Sequence, residues 1–354
     1  MQPSSKAILL CLFLGTASAF AETRTLSLFF AGDLMQHEGQ LNTALQKDGT
    51  YDYADNFKYM KPAIETADLA IVNFEVTLGG KPYTGYPAFS APDAYFYATK
   101  EAGFDIYLTA NNHCLDRGRN GLIRTIHVMD SLGVPHLGTY TDTSDRATRY
   151  PLLVQKNGFK IALLNYTYGT NGIETPAPTI VNRIDTLQIK QDIVKAQGMN
   201  PDAIIANMHW GIEYQIKENA EQDSLAAFLL RNGVAHVIGS HPHVLQPMKI
   251  VMDSLDEAHI VVYSLGNLIS NMKKRYTDGG ISVLLTLEKS DTDKKVHVKS
   301  TSYTLWWVLR PEFTGKNFEI IPATLDSIPE AAKVNREIFL NDAREILKGD
   351  IPEK

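Results

Sequence analysis

The chain has 354 residues, and its 44% hydrophobic and 21% charged residues are the composition of an ordinary globular protein. Its 34 basic and 40 acidic residues give a formal net charge of −6. An acidic chain without Lys/Arg clusters is a poor candidate for nucleic-acid binding, because phosphate contacts need basic side chains. If the substrate is anionic, the positive field at its site must then come from bound cations.

The first 21 residues predict a cleaved secretory signal peptide. A single positive residue, Lys6, precedes the apolar run Ala7–Leu14, and small residues follow at Ala17, Ala19 and Ala21. The apolar run is shorter than the roughly 20 residues that a membrane-spanning helix needs. We therefore expect cleavage after Ala19 or Ala21 and an exported protein, periplasmic or associated with the cell envelope, with no transmembrane segment in the mature chain.

The two cysteines bear on the redox chemistry of the chain. Cys11 lies within the predicted signal, after Ile8-Leu-Leu10, which lacks the small residue that usually precedes a lipidated cysteine. Cleavage would leave Cys114 alone, so that no intrachain disulfide is possible. Cys114 is expected to pack in the core, because neither a second cysteine nor a separate base accompanies it.

Beyond the signal, apolar segments and helical patterns alternate along about 330 residues, without internal repeats. Predicted strands that alternate with helices are Thr25–Ala31, Asp68–Val72, Phe104–Ala110, Ile161–Asn165, Ala203–Asn207, Ala235–Ile238 and Ile260–Ser264. Predicted helices are Gly118–Leu132, Ile184–Gln197, Asp223–Arg231 and Pro329–Leu347. A more strand-rich part contains Lys249–Met252, Ile281–Leu287 and Val296–Tyr303. This order predicts two packed sheets flanked by helices, with one domain over residues 22–310 and a helical extension over residues 311–354 packed on the core.

Five of the predicted strands are followed by side chains that bind metals. In chain order these are Asp33 and His37, Asn73 and Glu75, Asn112 and His113, His209, and the pair His241 and His243. A His-x-His pair alone is as often a surface or packing feature, but coincidence at five strand ends is much less probable. Carboxylates, imidazoles and an amide oxygen suit a pair of divalent cations, and the carboxyl ends of strands form the crevice where open sheets bind ligands. Two ions about 3.5–4 Å apart can share an activated hydroxide.

Seven motifs in order resemble the CapA family of bacterial capsule or poly-γ-glutamate synthesis proteins. They are Gly32-Asp33, Asn73-Phe-Glu75, Asn111-Asn-His113-Cys-Leu-Asp116, Asn165-Tyr-Thr-Tyr-Gly-Thr-Asn-Gly172, His209-Trp-Gly-Ile-Glu-Tyr214, Gly239-Ser-His-Pro-His-Val-Leu-Gln246 and Tyr263-Ser-Leu-Gly-Asn267. That family resembles a branch of the calcineurin-like metallophosphoesterases. The resemblance implies a four-layer α/β/β/α sandwich.

The resemblance also implies a metal-ligand set. Its members are Asp33, Glu75 in the position of a bridging aspartate, and Asn112, with His209 and His241 completing the shell of one ion and His243 serving the other. Two departures from the superfamily pattern matter. The superfamily has a histidine two positions after the aspartate, whereas here the nearest is His37, four positions on, so the place of His37 in the set is open. The longer side chain of Glu75 alters the expected metal spacing.

The resemblance further implies that His113 donates a proton or a hydrogen bond to the leaving group. Asp116 has two possible roles: it is either a partner that orients an imidazole or the N-cap of the following helix.

The loop that begins at Tyr168 is either a simple connector or presents Thr170 and Asn171 to substrate.

Three residues of the His209 motif are further candidates for substrate binding. Trp210 and Tyr214 form either a wall against substrate or part of the core. Glu213 is either an acceptor for a site residue or a solvated acid, and its place in the family motif favours the first.

Three functions remain open from the sequence. The first is a metal-dependent hydrolase outside the cytoplasm that acts on an anionic polymer or peptide, with the γ-glutamyl amide as the bond that the family name implies. The second is a phosphoesterase with the same two-ion site, and the third is a non-catalytic polymer-binding subunit of the capsule-synthesis machinery of the envelope. The mixed ligand set suits Mn, Fe or Zn and predicts two ions. A proton donor at His113 favours the catalytic readings, because a pure binder needs none.

Overall fold

The fold is known from a computed structural model, which describes residues 23–290 and 295–354. The predicted signal peptide, with Cys11, lies outside the described residues. The strands are β1 (Thr23–Leu34), β2 (Leu69–Phe74), β3 (Ile106–Leu108), β4 (His136–Leu137), β5 (Thr139–Tyr140), β6 (Leu152–Lys156), β7 (Phe159–Thr167), β8 (Ile180–Val181), β9 (Ala203–His209), β10 (His236–Ser240), β11 (Leu245–Met252), β12 (Ala258–Leu265), β13 (Asn267–Ile269), β14 (Gly279–Ser290), β15 (His297–Leu309) and β16 (Glu319–Pro322). The helices are α1 (Glu38–Ala44), α2 (Ala54–Phe57), α3 (Lys61–Ile64), α4 (Asp93–Glu101), α5 (Gly118–Ser131), α6 (Thr143–Arg149), α7 (Thr186–Gly198), α8 (Ala220–Arg231), α9 (Pro311–Thr314) and α10 (Glu330–Ile346).

Two large sheets organise these elements. The first has the order β16-β15-β14-β1-β2-β3-β4, and β13 pairs in parallel with the end of β1. The second has the order β11-β12-β10-β9-β7-β6. In both sheets the central strands are parallel, β1 with β2 and β3 in one and β7 with β9, β10 and β12 in the other. Antiparallel pairing occurs toward the edges, at β14, β15 and β16 in the first sheet and at β6 and β11 in the second. The parallel strands of each sheet therefore present their carboxyl ends at one edge.

Side-chain alternation along the strands builds the layers. On β1, Leu28 and Phe30 join the core that also contains residues of the second sheet, whereas Phe29 packs with α2, α3 and α4 on the opposite face. The neighbours Trp306 and Trp307 divide between the same two cores. Because successive residues of a strand point to opposite faces, the first sheet is covered on one side by helices and on the other by the second sheet. The outer face of the second sheet is covered by α7 and α8, so the protein has the predicted two-sheet sandwich between helical layers.

The predicted elements correspond closely to the observed ones, and the differences have local causes. β1 continues beyond the predicted Thr25–Ala31 through Asp33, and α10 corresponds to the predicted helix Pro329–Leu347. Residues 311–354 also contain β16, which pairs with β15 at the edge of the first sheet. This strand was not predicted because it has only four residues and ends in Pro322. Within the described part of the chain, none of the helices combines the length and the apolar character needed to cross a membrane.

Candidate metal centre

The candidate ligands come together where the carboxyl ends of the two sheets meet. Asp33 pairs in register with Asn73 across β1 and β2, and His209 pairs with Ser240 across β9 and β10. Glu75 follows β2 by one residue. The side chains of all these residues except Ser240 are at least 99% buried. Convergence of the strand ends thus produces a buried polar cluster between the sheets.

Two glycines permit the close approach of backbone at this edge. A Cβ on Gly32 would lie 2.1 Å from the carbonyl oxygen of Gly266, and a Cβ on Gly239 would lie 2.1 Å from that of Tyr263. Both separations are far inside van der Waals contact, so a side chain at either position would push the strands apart. Gly32 precedes Asp33, whose backbone N–H donates to Gly266 O at 3.0 Å. The two Gly-containing motifs therefore set the position of the ligands that follow them.

One group of potential ligand atoms comes from Asp33, Glu75 and His209. Each contributes one atom, and the three atoms lie within 4.8 Å of one another. The His209 Nε2 atom lies 3.5 Å from Glu75 Oε1 and 2.7 Å from Asn112 Oδ1. The amide of Asn73 donates to Asp33 Oδ1 at 2.7 Å and lies 3.4 Å from Glu75 Oε2. Carboxylate, imidazole and amide groups from four strand ends therefore face one point.

A second group shares Glu75 and adds His241 and His243, again with one atom from each within 4.8 Å, so His241 is grouped with His243 and not, as the resemblance implies, with His209. The His243 Nε2 atom lies 3.8 Å from Glu75 Oε1, and His243 Nδ1 lies 3.3 Å from Asp33 Oδ2 and 3.1 Å from Asn267 Oδ1. Both histidines have positive φ, 102° at His241 and 58° at His243. Glu75 thus lies between two sets of donors, as a bridging carboxylate would.

Burial controls the charge state of the cluster in the absence of ions. It raises the pKa of Glu75 well above its usual value, and the nearby Asp33 carboxylate raises it further. Burial lowers the pKa of His209 and of His241 well below the usual range, and the surrounding imidazoles add to the effect. The neutral imidazole is the form that binds metals, so these histidines are already in the ligand state at neutral pH.

Unpaired atoms in the cluster show that these residues fit bound cations. Among the described residues, Glu75 Oε1 and His241 Nδ1 are buried and have no hydrogen-bond partner. Buried polar atoms are nearly always hydrogen-bonded, and each exception calls for an explanation such as an ion or a water molecule. Oxygen and nitrogen donors around a shared carboxylate are the set that Mn, Fe or Zn takes.

His113 lies beside the cluster and is held by a carboxylate. Its Nδ1 atom lies 2.7 Å from Asp116 Oδ2, and the side chains are only 4% and 2% exposed. Asp116 also accepts from the backbone N–H of Phe89 at 2.8 Å, and the Phe89 ring packs against the His113 ring at 4.6 Å. Arg117, not Asp116, occupies the N-cap position of α5. The geometry therefore agrees with Asp116 as a partner that orients the imidazole, with Nε2 on the other side of the ring.

Asn171 links His113 to the candidate ligands. Its Oδ1 accepts from Asn112 Nδ2 at 3.1 Å, and its Nδ2 lies 3.5 Å from His113 Nδ1. The neighbouring Thr170 is buried; its hydroxyl donates to Ile173 O at 2.6 Å and accepts from Arg183 at 3.0 Å. Asn171 thus lies at the site, whereas the Thr170 hydroxyl is engaged within its own loop.

The other three residues predicted to contact substrate lie in different environments. Trp210 is only 2% exposed, and its indole N–H donates to Tyr263 O at 2.9 Å. Tyr214 is half-buried, with its ring 6.3 Å from the His243 ring. Glu213 is exposed. Of the three, Tyr214 is the one whose side chain contacts a candidate ligand.

His37 stands apart from both ligand groups. It occupies the N-cap position of α1, and its Nδ1 accepts from the backbone N–H of Asn271 at 3.3 Å. Burial lowers its pKa to about 4, and His243 contributes to the shift. The structure therefore places His37 next to the centre without including it in either group.

Three residues of the centre belong neither to the ligand set that the resemblance implies nor to the predicted catalytic and substrate-binding residues, although Asn73 is among the strand-end candidates. Asn73 donates to Asp33, and Asn267 contacts His243 Nδ1. The Tyr168 ring packs 4.4 Å from the His241 ring, and burial raises the pKa of its hydroxyl to about 12. Each belongs to one of the motifs quoted above, so the motif was visible although the contact was not.

Comparison with known proteins identifies relatives over most of the chain. The family described as bacterial capsule synthesis protein PGA_cap matches residues 27–272. The capsule biosynthesis protein CapA of Bacillus anthracis is 28% identical over 260 residues, 70% of this chain and 60% of that protein. The PGA biosynthesis protein CapA of Bacillus subtilis strain 168 is 26% identical over 281 residues, 76% of this chain and 70% of that protein. The chain thus spans less than two thirds of the length of the Bacillus anthracis protein.

Solved structures with a similar fold include a nucleotidase and a phosphoesterase. The NAD nucleotidase NadN of Haemophilus influenzae superposes with a TM-score of 0.51 at 14% identity, over 94% of this chain and 64% of that one. The calcineurin-like phosphoesterase YfkN of Bacillus subtilis has a TM-score of 0.48 at 17% identity, over 92% of this chain and 99% of that one. Similarity at this level concerns the fold alone. The predicted four-layer α/β/β/α sandwich is confirmed by the two packed sheets and the helices on their outer faces.

Proposed function

Because this chain belongs to the bacterial capsule synthesis protein PGA_cap family, we propose that it is an exported metal-dependent hydrolase acting on an anionic capsule polymer or peptide. The γ-glutamyl amide is the bond that the names of its relatives suggest. The observation that carries the proposal is the position of the His113–Asp116 pair beside two buried groups of ligand atoms that share Glu75. A metal-binding surface that only held polymer would need no such pair.

The two groups supply the residues that would hold the ions in this proposal. Asp33, Glu75 and His209 would hold one ion together with Asn112, and Glu75, His241 and His243 would hold the other. When bound, two divalent ions lower the pKa of a water nucleophile and neutralise negative charge that develops on the scissile group. Two ions, from among Mn, Zn and Fe, are part of this proposal.

The protein's own side chains orient these ligands. Asn73 donates to Asp33 and keeps its carboxylate turned toward Glu75. Asn267 accepts from His243 Nδ1, which leaves Nε2 of that ring directed toward Glu75. Partners of this kind fix both tautomer and ring orientation, and their loss commonly costs about 10–100-fold in metal affinity or activity.

His113 supplies the proton for the leaving group. The Asp116 carboxylate accepts from Nδ1–H, so Nε2 is the nitrogen that exchanges a proton with substrate. Protonation of the departing nitrogen or oxygen by a positioned imidazole contributes about 10²–10⁴-fold to rate. The Phe89 ring, 4.6 Å away, limits access of water to the same imidazole.

Hydrolysis is tested by a substrate panel. Purified protein with Mn²⁺ or Zn²⁺ is incubated with poly-γ-glutamate, γ-glutamyl peptides and aryl phosphates, and products are followed by chromatography. We expect turnover of a γ-glutamyl substrate and its loss in His113→Asn, which should keep its metal content. His127→Asn, an exposed histidine on α5, is the matched control and should behave as wild type.

Three outcomes would contradict parts of the proposal. Turnover of the phosphate esters alone would make the protein a phosphoesterase. Loss of metal in His113→Asn would make His113 a ligand instead of a proton donor. If no substrate turns over with any metal, a polymer-binding role in the capsule-synthesis machinery replaces the hydrolase.

A further inference from the structure

A short basic run lies beside the metal centre. Lys273, Lys274 and Arg275 are exposed in the segment between β13 and β14, so the description of the chain as free of Lys/Arg clusters is wrong at this segment. They line an open cavity of about 400 Å³ whose other wall is α10. The charged residues around this cavity are Lys273, Lys274, Arg275, Asp278, Arg310 and Asp342. With Glu312, which pairs with Lys273, four cations and three acids still give the cavity a positive formal charge, in a chain that is acidic overall.

Lys274 is the cation of this set whose charge is available. Lys273 pairs with Glu312 at 3.0 Å, and Arg275 pairs with Asp342 at 2.8 Å. No ion pair involving Lys274 occurs among the described residues; its Nζ atom lies 3.7 Å from the centre of the Tyr214 ring. A cation held over an aromatic face keeps its N–H donors free for an anion.

Arg310 lies deeper in the same cavity. It is 7% exposed and donates to the backbone carbonyl of Met272. Asp278 and Glu312 are the acids that face it, and the Asp278 carboxylate also accepts from Trp307 Nε1 at 2.9 Å. Within the described part of the chain, Arg310 Nε is buried without a hydrogen-bond partner. The cavity therefore combines a free cation at its mouth with an unsatisfied donor at its base.

Tyr214 connects the cavity to the metal centre. The centre of its ring lies 3.7 Å from Lys274 Nζ and 6.3 Å from the centre of the His243 ring. A γ-linked glutamate residue has two more backbone carbons than an α-peptide residue and spans more than the roughly 3.3–3.6 Å of the latter, so a bound chain reaches from one to the other within a few residues. An anionic polymer bound at the centre would thus pass the cavity.

We propose that this cavity is an anion subsite, in which Lys274 binds a carboxylate of the polymer a few residues from the bond placed at the metal centre. The inference rests on the proposed function, because a γ-linked glutamate polymer carries one free carboxylate on every residue. It also adds a lysine side chain to the bound cations that the sequence predicts as the source of the positive field at the site. Lys274 is a specificity-determining residue rather than a catalytic one.

Binding of fluorescent γ-glutamyl oligomers to the metal-loaded protein tests the subsite by anisotropy. Lys274→Glu places like charge next to the polymer, and we expect its affinity to fall about tenfold or more, with a smaller loss in Lys274→Gln. Lys190→Glu changes an exposed lysine on α7, outside the cavity, and should weaken binding less than about twofold. Melting temperatures near the wild-type value establish that the variants are folded, as expected for an exposed side chain.

Kinetics separate this inference from the proposed hydrolase. In Lys274→Glu, the ratio of KM for a long oligomer to KM for a single γ-glutamyl amide should rise about tenfold. Binding that depends on Lys274 without turnover of any substrate would sustain the subsite and reject the hydrolase. Turnover with an unchanged KM ratio and unchanged oligomer affinity would reject the subsite alone. Polyphosphate is the second polymer in the binding assay. If it binds more tightly than the γ-glutamyl oligomers and its binding depends on Lys274, the assignment of the subsite to a carboxylate is overturned.

Discussion

Replacing Glu75 by Gln should change protein stability in opposite directions with and without metal. In the metal-free protein, burial and Asp33 raise the pKa of the Glu75 carboxyl well above its usual value of 4.5. The unfolded chain releases this proton near pH 4.5, whereas the folded protein retains it to higher pH. Folding is therefore penalised as the pH rises above 4.5, by about 1.36 kcal/mol for each pH unit up to the folded pKa.

At about pH 7.5 this penalty amounts to at most about 4 kcal/mol, because the pH then lies about three units above the usual pKa. Gln does not ionise and has nearly the same volume, so metal-free Glu75→Gln should be more stable than wild type by up to that amount. With ions present the relation reverses. A ligand at 100 to 1,000 times its Kd stabilises the folded state by about 2.7–4.1 kcal/mol, and the variant loses the shared carboxylate that both ligand groups need.

Urea unfolding of both proteins at about pH 7.5, with chelator and with excess Mn²⁺, measures the two effects. The exposed Glu101 at the end of α4 provides the control Glu101→Gln, which should change the free energy of unfolding by less than about 0.5 kcal/mol in either condition. Between pH 5 and pH 7.5 the stability of metal-free wild type should fall relative to that of metal-free Glu75→Gln, because the buried histidines, whose lowered pKa values give the opposite slope, are present in both proteins. If metal stabilises Glu75→Gln as much as wild type, Glu75 is not a shared ligand and the reasoning is wrong.

Three further outcomes are expected. Removal of one imidazole in His241→Ala should lower the metal content of protein purified without chelator while the fold survives, and elemental analysis showing full occupancy would reject the ligand assignment. N-terminal sequencing of protein from the native envelope should find Phe20 or Glu22 first; a chain that begins at Cys11 or is uncleaved would contradict the predicted export. Burial lowers the pKa of His236 to about 3, so the unfolded chain binds this proton below pH 6.5 and the folded protein does not. The free energy of unfolding should then fall by up to about 1.4 kcal/mol per pH unit below 6.5, and His236→Gln should show a smaller slope in urea titrations at several pH values.

The strand ends were predictable because each ligand follows a run of apolar residues long enough to be recognised. Ala203–Asn207 and Asp68–Val72 correspond to β9 and β2 within two residues at either end. A strand that is buried on both faces has a nearly continuous apolar sequence, and its end is marked by the first polar side chains. The same pattern locates the candidate ligands along the chain, although it does not say which of them share an ion.

Contacts between elements far apart in the chain could not be predicted from one sequence. Asn267 reaches His243 across 24 residues, and Lys274 lies over Tyr214 across 60. Neither pair has a periodic signal, because each results from how β13 and the segment after it pack beside the second sheet. His37 shows the same limit, since at the N-cap of α1 its Nδ1 accepts from the backbone N–H of Asn271 and the residue belongs to neither ligand group.

The two histidines after β10 have a strained backbone, which indicates that the placement of their side chains was favoured over local stability. A non-glycine residue in the left-handed region costs about 1–2 kcal/mol, yet both His241 and His243 adopt it, on either side of Pro242. Surrounding contacts hold the turn: His241 N–H lies 3.4 Å from Asp33 Oδ2, and the Pro242 carbonyl accepts from Tyr214 N–H at 2.8 Å. Glycine at either position would relieve the strain but would remove an imidazole that faces Glu75. Strain of this kind persists where the neighbouring structure over-determines it, which is typical of functional sites. The turn therefore argues, independently of the ligand distances, that the two imidazoles are placed for a purpose other than packing.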